Sequence, residues 1–101
     1  MNNHQLWILI QAAYNSNSFY QNIKIESYDN WYRIDKYHGD NSVSLKILRE
    51  YSIVHSSCEY KIELMKNGQK YRQTQYELIQ KVINQEFVPI FREIKLDILL
   101  D

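Results

Sequence analysis

Apolar positions in residues 4–14 (His-Gln-Leu-Trp-Ile-Leu-Ile-Gln-Ala-Ala-Tyr) follow a helical repeat, with Leu6, Ile10, Ala13 and Tyr14 on one face. Trp7, Ile8 and Leu9 spread apolar surface further round the cylinder, so this helix is expected to be buried on more than one side. The polar run Asn15-Ser16-Asn17-Ser18 ends it.

From Ile23 the repeat shortens to two. Ile23, Ile25, Tyr32 and Ile34 alternate with Lys24, Glu26, Arg33 and Asp35, as half-buried strands do. Asp29-Asn30 between the runs suits a tight turn. A hairpin closed there sets Tyr28 opposite Trp31, Glu26 opposite Arg33, Ile25 opposite Ile34 and Lys24 opposite Asp35. That single register yields charge, aromatic and aliphatic pairs, each worth about 0.2–1 kcal/mol.

His38-Gly39-Asp40-Asn41 reads as a four-residue turn that brings Leu45 to Ile34 and Ile47 to Tyr32. The strand carrying Val43, Leu45 and Ile47 continues through Tyr51 and Ile53, with Arg49 interrupting its apolar face and marking a bulge. His55-Ser56-Ser57-Cys58 is a polar turn, and Tyr60, Ile62 and Leu64 form the inner face of the next strand. Asn67-Gly68 is the strongest hairpin signal in the chain, because a type I′ turn requires positive φ at both central residues. It sets Leu64 opposite Tyr71 and Glu63 opposite Arg72.

Thr74-Gln75-Tyr76-Glu77 has the spacing of a capping box with Thr74 as N-cap. The helix after it turns Leu78, Ile79, Val82, Ile83 and Phe87 inward, and Pro89 ends or kinks it. A second C-terminal helix then places Ile90, Phe91, Ile94 and Ile98 on one face, although Ile94, Leu96, Ile98 and Leu100 also alternate as a strand does. The expected fold class is α+β: an N-terminal helix, an antiparallel meander of about five strands, and one or two C-terminal helices.

With 101 residues and no linker or repeat, the chain is expected to be a single domain over 1–101. Twelve basic residues balance twelve acidic ones, which excludes attachment to nucleic acid by bulk charge. The cancellation is a distribution. No Asp, Glu, Lys or Arg occurs in the first 22 residues, residues 23–75 are slightly basic, and the segment from Tyr76 is acidic. The two glycines fit neither a dinucleotide-binding nor a P-loop pattern. The lone Cys58 cannot form an intrachain disulfide, and the longest apolar run, Leu6 to Ile10, is far short of a membrane span, so a cytoplasmic location without membrane association is expected.

Catalytic and metal-binding constellations are sparse. His4, His38 and His55 are not spaced as paired ligands, and no HExxH or CxxC occurs, so neither metal nor cofactor is expected. His55 and Cys58 share a Ser-rich turn without the spacing of an activated nucleophile. His38 and Asp40 are the residues around which an unrecognised active site would form.

The more informative feature is the outer sheet face. Charged residues populate it, yet the register also puts Tyr28, Trp31, Leu48 and Met65 there. Such an apolar stripe is either covered by a terminal helix or is an interaction surface. With Arg33 it has the composition of an interface hot spot. The reading is therefore a small non-enzymatic protein-binding or regulatory module of adaptor or inhibitor type that self-associates as a homodimer, with Tyr28, Trp31, Arg33, Leu48 and Met65 as the partner-binding residues. The uncharged N-terminal helix is a second candidate for the self-association surface. A nucleic-acid-binding sheet face and an enzyme centred on His38 and Asp40 are the alternatives.

Overall fold

The computed structural model describes residues 2–16 and 22–93. Helix α1 (Asn3–Asn15) is followed by strands β1 (Ile23–Ser27), β2 (Trp31–His38), β3 (Asn41–Ser52), β4 (Ser57–Lys66) and β5 (Gln69–Lys70), then by helix α2 (Tyr76–Glu86). The chain turns at Phe87 and is helical again over 88–93. The strands form one antiparallel sheet in the order β1-β2-β3-β4-β5, so the α+β meander is observed.

The expected β1–β2 register is the observed one, with Lys24 opposite Asp35, Ile25 opposite Ile34 and Glu26 opposite Arg33. The ion pairs nevertheless run along the strands: Lys24 bonds Glu26 at 3.0 Å and Arg33 bonds Asp35 at 3.0 Å. Side chains two apart on one strand share a face, so along-strand pairing competes with cross-strand pairing.

Ile34–Leu45 and Tyr32–Ile47 pair as expected, but the β2–β3 turn is tighter, because His38 and Asn41 already face each other across Gly39-Asp40. Gly39 supplies the positive φ (60°) there. Asn67 (φ 51°) and Gly68 (φ 81°) make the type I′ turn between β4 and β5.

One face of the sheet holds Ile34, Leu45, Ile47, Ile62 and Leu64, all buried with Leu6, Trp7, Ile10, Ala13, Ile79, Val82, Ile83 and Phe87. Both helices cross this face. At its N-terminus α1 meets β4, where His4 stacks on Tyr60 (5.1 Å), and farther along Trp7 meets Tyr32 edge-on (4.8 Å). Toward its C-terminal end α2 is tied to β2 by the Lys36 ammonium, which donates to the Glu86 carboxylate (3.0 Å) and carbonyl (3.3 Å). A cation at a helix C-terminus also meets the negative end of its dipole.

Five local expectations are corrected. Arg49 marks no bulge, because β3–β4 pairing is continuous from Val43–Lys66 to Ser52–Ser57. Its guanidinium instead lies over the Trp7 ring, 4.9 Å from the centroid, which accommodates a cation at the edge of an apolar face. The capping box belongs to α1: the Asn2 side chain accepts from the Gln5 backbone N–H while the Gln5 side chain accepts from Asn2. Helix α2 starts after Gln75, with no side-chain cap, and the Gln75 carbonyl oxygen Oε1 accepts from the Arg72 N–H.

Leu78 points outward rather than into the core. Strand β5 ends at Lys70, so Glu63 is paired with the Lys70 ammonium (3.3 Å) and not with Arg72. In α1, Leu6, Trp7, Ile10 and Ala13 are buried, whereas Tyr14, expected on the same face as Leu6, Ile10 and Ala13, is exposed, as is Ile8. The helix-or-strand question for residues 90–100 resolves as helix over 90–93, and Ile94, Leu96, Ile98 and Leu100 lie outside the described residues.

Candidate interaction surfaces

The outer face bears a compact cluster at one end. Trp31 is stacked by Tyr28, with ring centroids 3.9 Å apart and an interplanar angle of 12°. The Lys46 ammonium lies 4.3 Å from the Trp31 ring centroid, and Leu48 is its register partner on β3. Trp31 is thus half-buried by its own neighbours, and neither described helix covers it. Met65 shares the face but pairs with Ser44, four residues along β3 from Leu48, so it stands apart from the cluster.

The Arg33 guanidinium is held by Asp35. Asp35 is nearly fully buried on this face, accepting from Arg33 Nε (3.0 Å) and from the Ser44 hydroxyl. A buried carboxylate needs such donors. Nothing in the alternation distinguished it from the solvated acids beside it. Most other outer-face cations are likewise engaged: Lys24 with Glu26, Lys61 with Glu50 and Lys70 with Glu63.

The Tyr28 hydroxyl donates to the Glu26 carboxylate. That bond, then the Lys24 ammonium, lowers the Glu26 carboxyl below its ordinary value, and the same bond raises the Tyr28 phenol. The lowered carboxyl contributes stability that is present above its unfolded value and lost as pH falls through its folded one. For the raised phenol the contribution is present below its unfolded value of 10.0 and lost as pH rises through the folded one. In an absorbance-monitored alkaline titration, the Tyr28 signal (wild type minus Tyr28→Phe) is expected to ionise above 10.0, and Glu26→Gln should move it back toward that value. An unmoved midpoint in Glu26→Gln contradicts the bond.

A second surface was not foreseen. Strands β3 and β4 run past the end of β2, whose last partner on β3 is Leu48 (with Arg49 N–H donating to the Asn30 carbonyl). Beyond it the β3–β4 pair continues to Ser52–Ser57 as a two-stranded arm. The turn lies at residues 53–56, two residues earlier than the polar run suggested, so Ile53 and Val54 stand at the tip with 85% and 88% of their surface exposed. Tyr51 beside them is 66% exposed. Ser56 takes a positive φ (50°), the His55 imidazole lies 3.7 Å from the Glu59 carboxylate, and Cys58 is exposed.

The third feature is a groove of about 440 Å³ along the outer edge of β4, walled by Leu48, Tyr60, Ile62, Tyr76 and Ile79, with Lys46 and Lys61 on its lip. The β4 carbonyls on this edge are capped in turn: Leu64 by the Tyr71 N–H (2.9 Å), Ile62 by the Gln73 side chain (2.8 Å) and Tyr60 by the Asn3 side chain (3.0 Å). The N–H and C=O of one residue point the same way in an antiparallel strand. The Tyr60 and Ile62 N–H groups therefore face the groove as well, and β5, which stops at Lys70, gives them no ladder partner.

No family model, curated protein or solved structure matches the chain. His38 lines a shallow, open cleft with Lys36, Asn41 and Glu86, whereas Asp40 is exposed in its turn and does not line that cleft. Among the described residues no group of three or more His, Cys, Asp or Glu is placed to hold a metal ion, and no helix is long and apolar enough to cross a membrane.

Proposed function

We propose that this protein is a non-enzymatic protein-binding module that engages its partner with the tip of the β3–β4 arm. The observation that carries this reading is the exposure of Ile53 (85%) and Val54 (88%), adjacent β-branched aliphatics at the end of a hydrogen-bonded arm. Singly exposed aliphatics are ordinary, but here two stand together and Tyr51 extends the patch. A hydrogen-bonded hairpin presents such side chains at a lower ordering cost on binding than an unpaired loop does. The Tyr28–Trp31–Leu48 cluster on the outer face is a flatter surface suited to the rim of the same contact.

A nucleic-acid reading of the outer face has less support. Base stacking needs an open aromatic face, and Trp31 is already stacked by Tyr28. Phosphate contacts need free cations, and Lys24, Arg33, Lys61 and Lys70 each hold a carboxylate.

The test is co-purification from the native host with mass identification, comparing wild type with Ile53→Ser/Val54→Ser. Both residues are exposed, so the double variant is expected to keep its helical circular dichroism and melting temperature. The expected result is a discrete set of partners held by wild type and lost by the variant. Equal retention by both proteins contradicts the reading.

A further inference from the structure

We propose that Asn67 is a modification site: the Gly68 backbone nitrogen attacks its side-chain amide and converts it to a carboxylate, at a rate set by a hydrogen-bonded clasp that the fold builds around that amide. Asn67-Gly68 is the one Asn-Gly step in the chain. The inference is independent of the reading of the arm.

Asn67 stands one step past Val43–Lys66, the pair that ends the β3–β4 ladder. Its N–H still donates to the Ser42 carbonyl (2.8 Å), as the next ladder pair would. The return bond goes to its side chain: the Ser42 N–H donates to Asn67 Oδ1 (2.9 Å), where a strand would offer the main-chain carbonyl. Asn67 Nδ2 donates to Asn41 Oδ1 (3.1 Å). The amide is thus held at both ends, and it ties the β4–β5 turn to the start of β3.

Conversion runs through a cyclic imide. The Gly68 nitrogen gives its proton to a solvent base and bonds to Asn67 Cγ. The Cγ–Nδ2 bond breaks, and the amide nitrogen leaves as ammonia, taking a proton from water. Water then opens the ring. Addition at Cγ restores the main chain with an aspartate at position 67. Addition at the backbone carbonyl leaves an isoaspartate, whose main chain runs through the former side chain. Glycine favours the first step because no side chain shields its nitrogen. Gly68 is exposed, and among the described residues nothing lies within 4 Å of where a Cβ would stand. Lys66 pairs with Gln69, so Gly68 lies outside the β4–β5 ladder.

The native geometry opposes ring closure. The imide holds Cβ and the Gly68 nitrogen on the same side of the Asn67 Cα–C bond, a ψ that a type I′ turn does not have. Asn67 must therefore leave the turn conformation, and its amide must leave Ser42 and Asn41, before Cγ meets the nitrogen. The folded rate follows how often this local opening occurs. Conversion then removes the clasp. A carboxylate has no proton to donate to Asn41, and an isoaspartate lengthens the main chain within a two-residue turn. The formal net charge also falls from zero to one negative.

The experiment is peptide mass mapping of position 67 over time at mildly alkaline pH, for wild type and Asn41→Ala, each folded and in urea. Asn41 is exposed, so the variant is expected to keep its circular dichroism. Wild type should convert at Asn67 about 10-fold or more slowly when folded than when unfolded, because three hydrogen bonds must open together. Asn41→Ala should raise the folded rate about 2- to 10-fold, the range that loss of one neutral hydrogen bond supports, and leave the rate in urea unchanged. A wild-type urea series is the second measurement, independent of any variant: the rate should climb as the folded fraction falls.

No conversion at Asn67 in folded wild type on prolonged incubation overturns the proposal. So does a wild-type rate that is the same folded and unfolded, or a folded Asn41→Ala that converts no faster than wild type.

Discussion

Trp7→Ala is expected to destabilise the fold by about 3–5 kcal/mol, the range for truncating a large buried aromatic. The indole is 4% exposed and is the joint between α1 and the sheet. It meets Tyr32 edge-on at 4.8 Å, Tyr60 at 5.8 Å and the Arg49 guanidinium at 4.9 Å. Aromatic pairs add about 0.5–1.5 kcal/mol each beyond the area they bury, so the loss belongs at the upper part of that range. Against a total stability of about 5–15 kcal/mol, it leaves α1 poorly docked. Urea unfolding followed by circular dichroism measures it. A loss under about 1 kcal/mol, as a surface position gives, contradicts the placement of α1 on the inner face.

Phe87→Ala is the second large effect, again about 3–5 kcal/mol. The Phe87 side chain is fully buried where α2 gives way to the helical segment 88–93. Its backbone is already satisfied, with its N–H donating to the Ile83 carbonyl (2.9 Å) and its own carbonyl accepting from Phe91 (3.1 Å). The substitution therefore removes side-chain packing alone and leaves a cavity in the core. Hydrogen exchange should show amides of 88–93 losing protection before those of β3, because this segment is anchored through Phe87, Ile90 and Phe91. A small loss of stability, with protection in 88–93 unchanged, contradicts this anchoring.

The sheet was legible because strict alternation and turn chemistry act locally. Positive φ at Asn67 and Gly68, and the pairing of Ile25 with Ile34 and of Ile34 with Leu45, follow from residues within a few positions of one another. What alternation cannot reveal is competition among equally allowed partners. Asp35 had Lys24 opposite it and Arg33 and Ser44 nearby, and the latter two took it into a buried site. Arg49 looked like an interruption because its partner, Trp7, comes from a helix more than forty residues away in the chain.

The same limit hid the arm. Turn prediction rests on polar and glycine-rich composition, which pointed to His55-Ser56-Ser57-Cys58, and Ile53 read as the end of an apolar strand. The continuous register through Ser52–Ser57 leaves Ile53 and Val54 at the turn instead. Aliphatic residues where chain reversal normally takes polar ones conflict with local preference, and such conflicts concentrate at functional sites. Of the outer-face residues singled out from sequence, Tyr28, Trp31 and Leu48 do meet, while Arg33 is held by Asp35 and Met65 lies farther along the sheet.

Binding through the arm tip is tested most directly by methyl-labelled NMR of Ile53 and Val54 as a co-purified partner is added. The tip methyls, exposed in the free protein, should shift or broaden as partner is added, and those of the buried Ile34 should stay in place. Tip methyls that do not move at saturating partner contradict it.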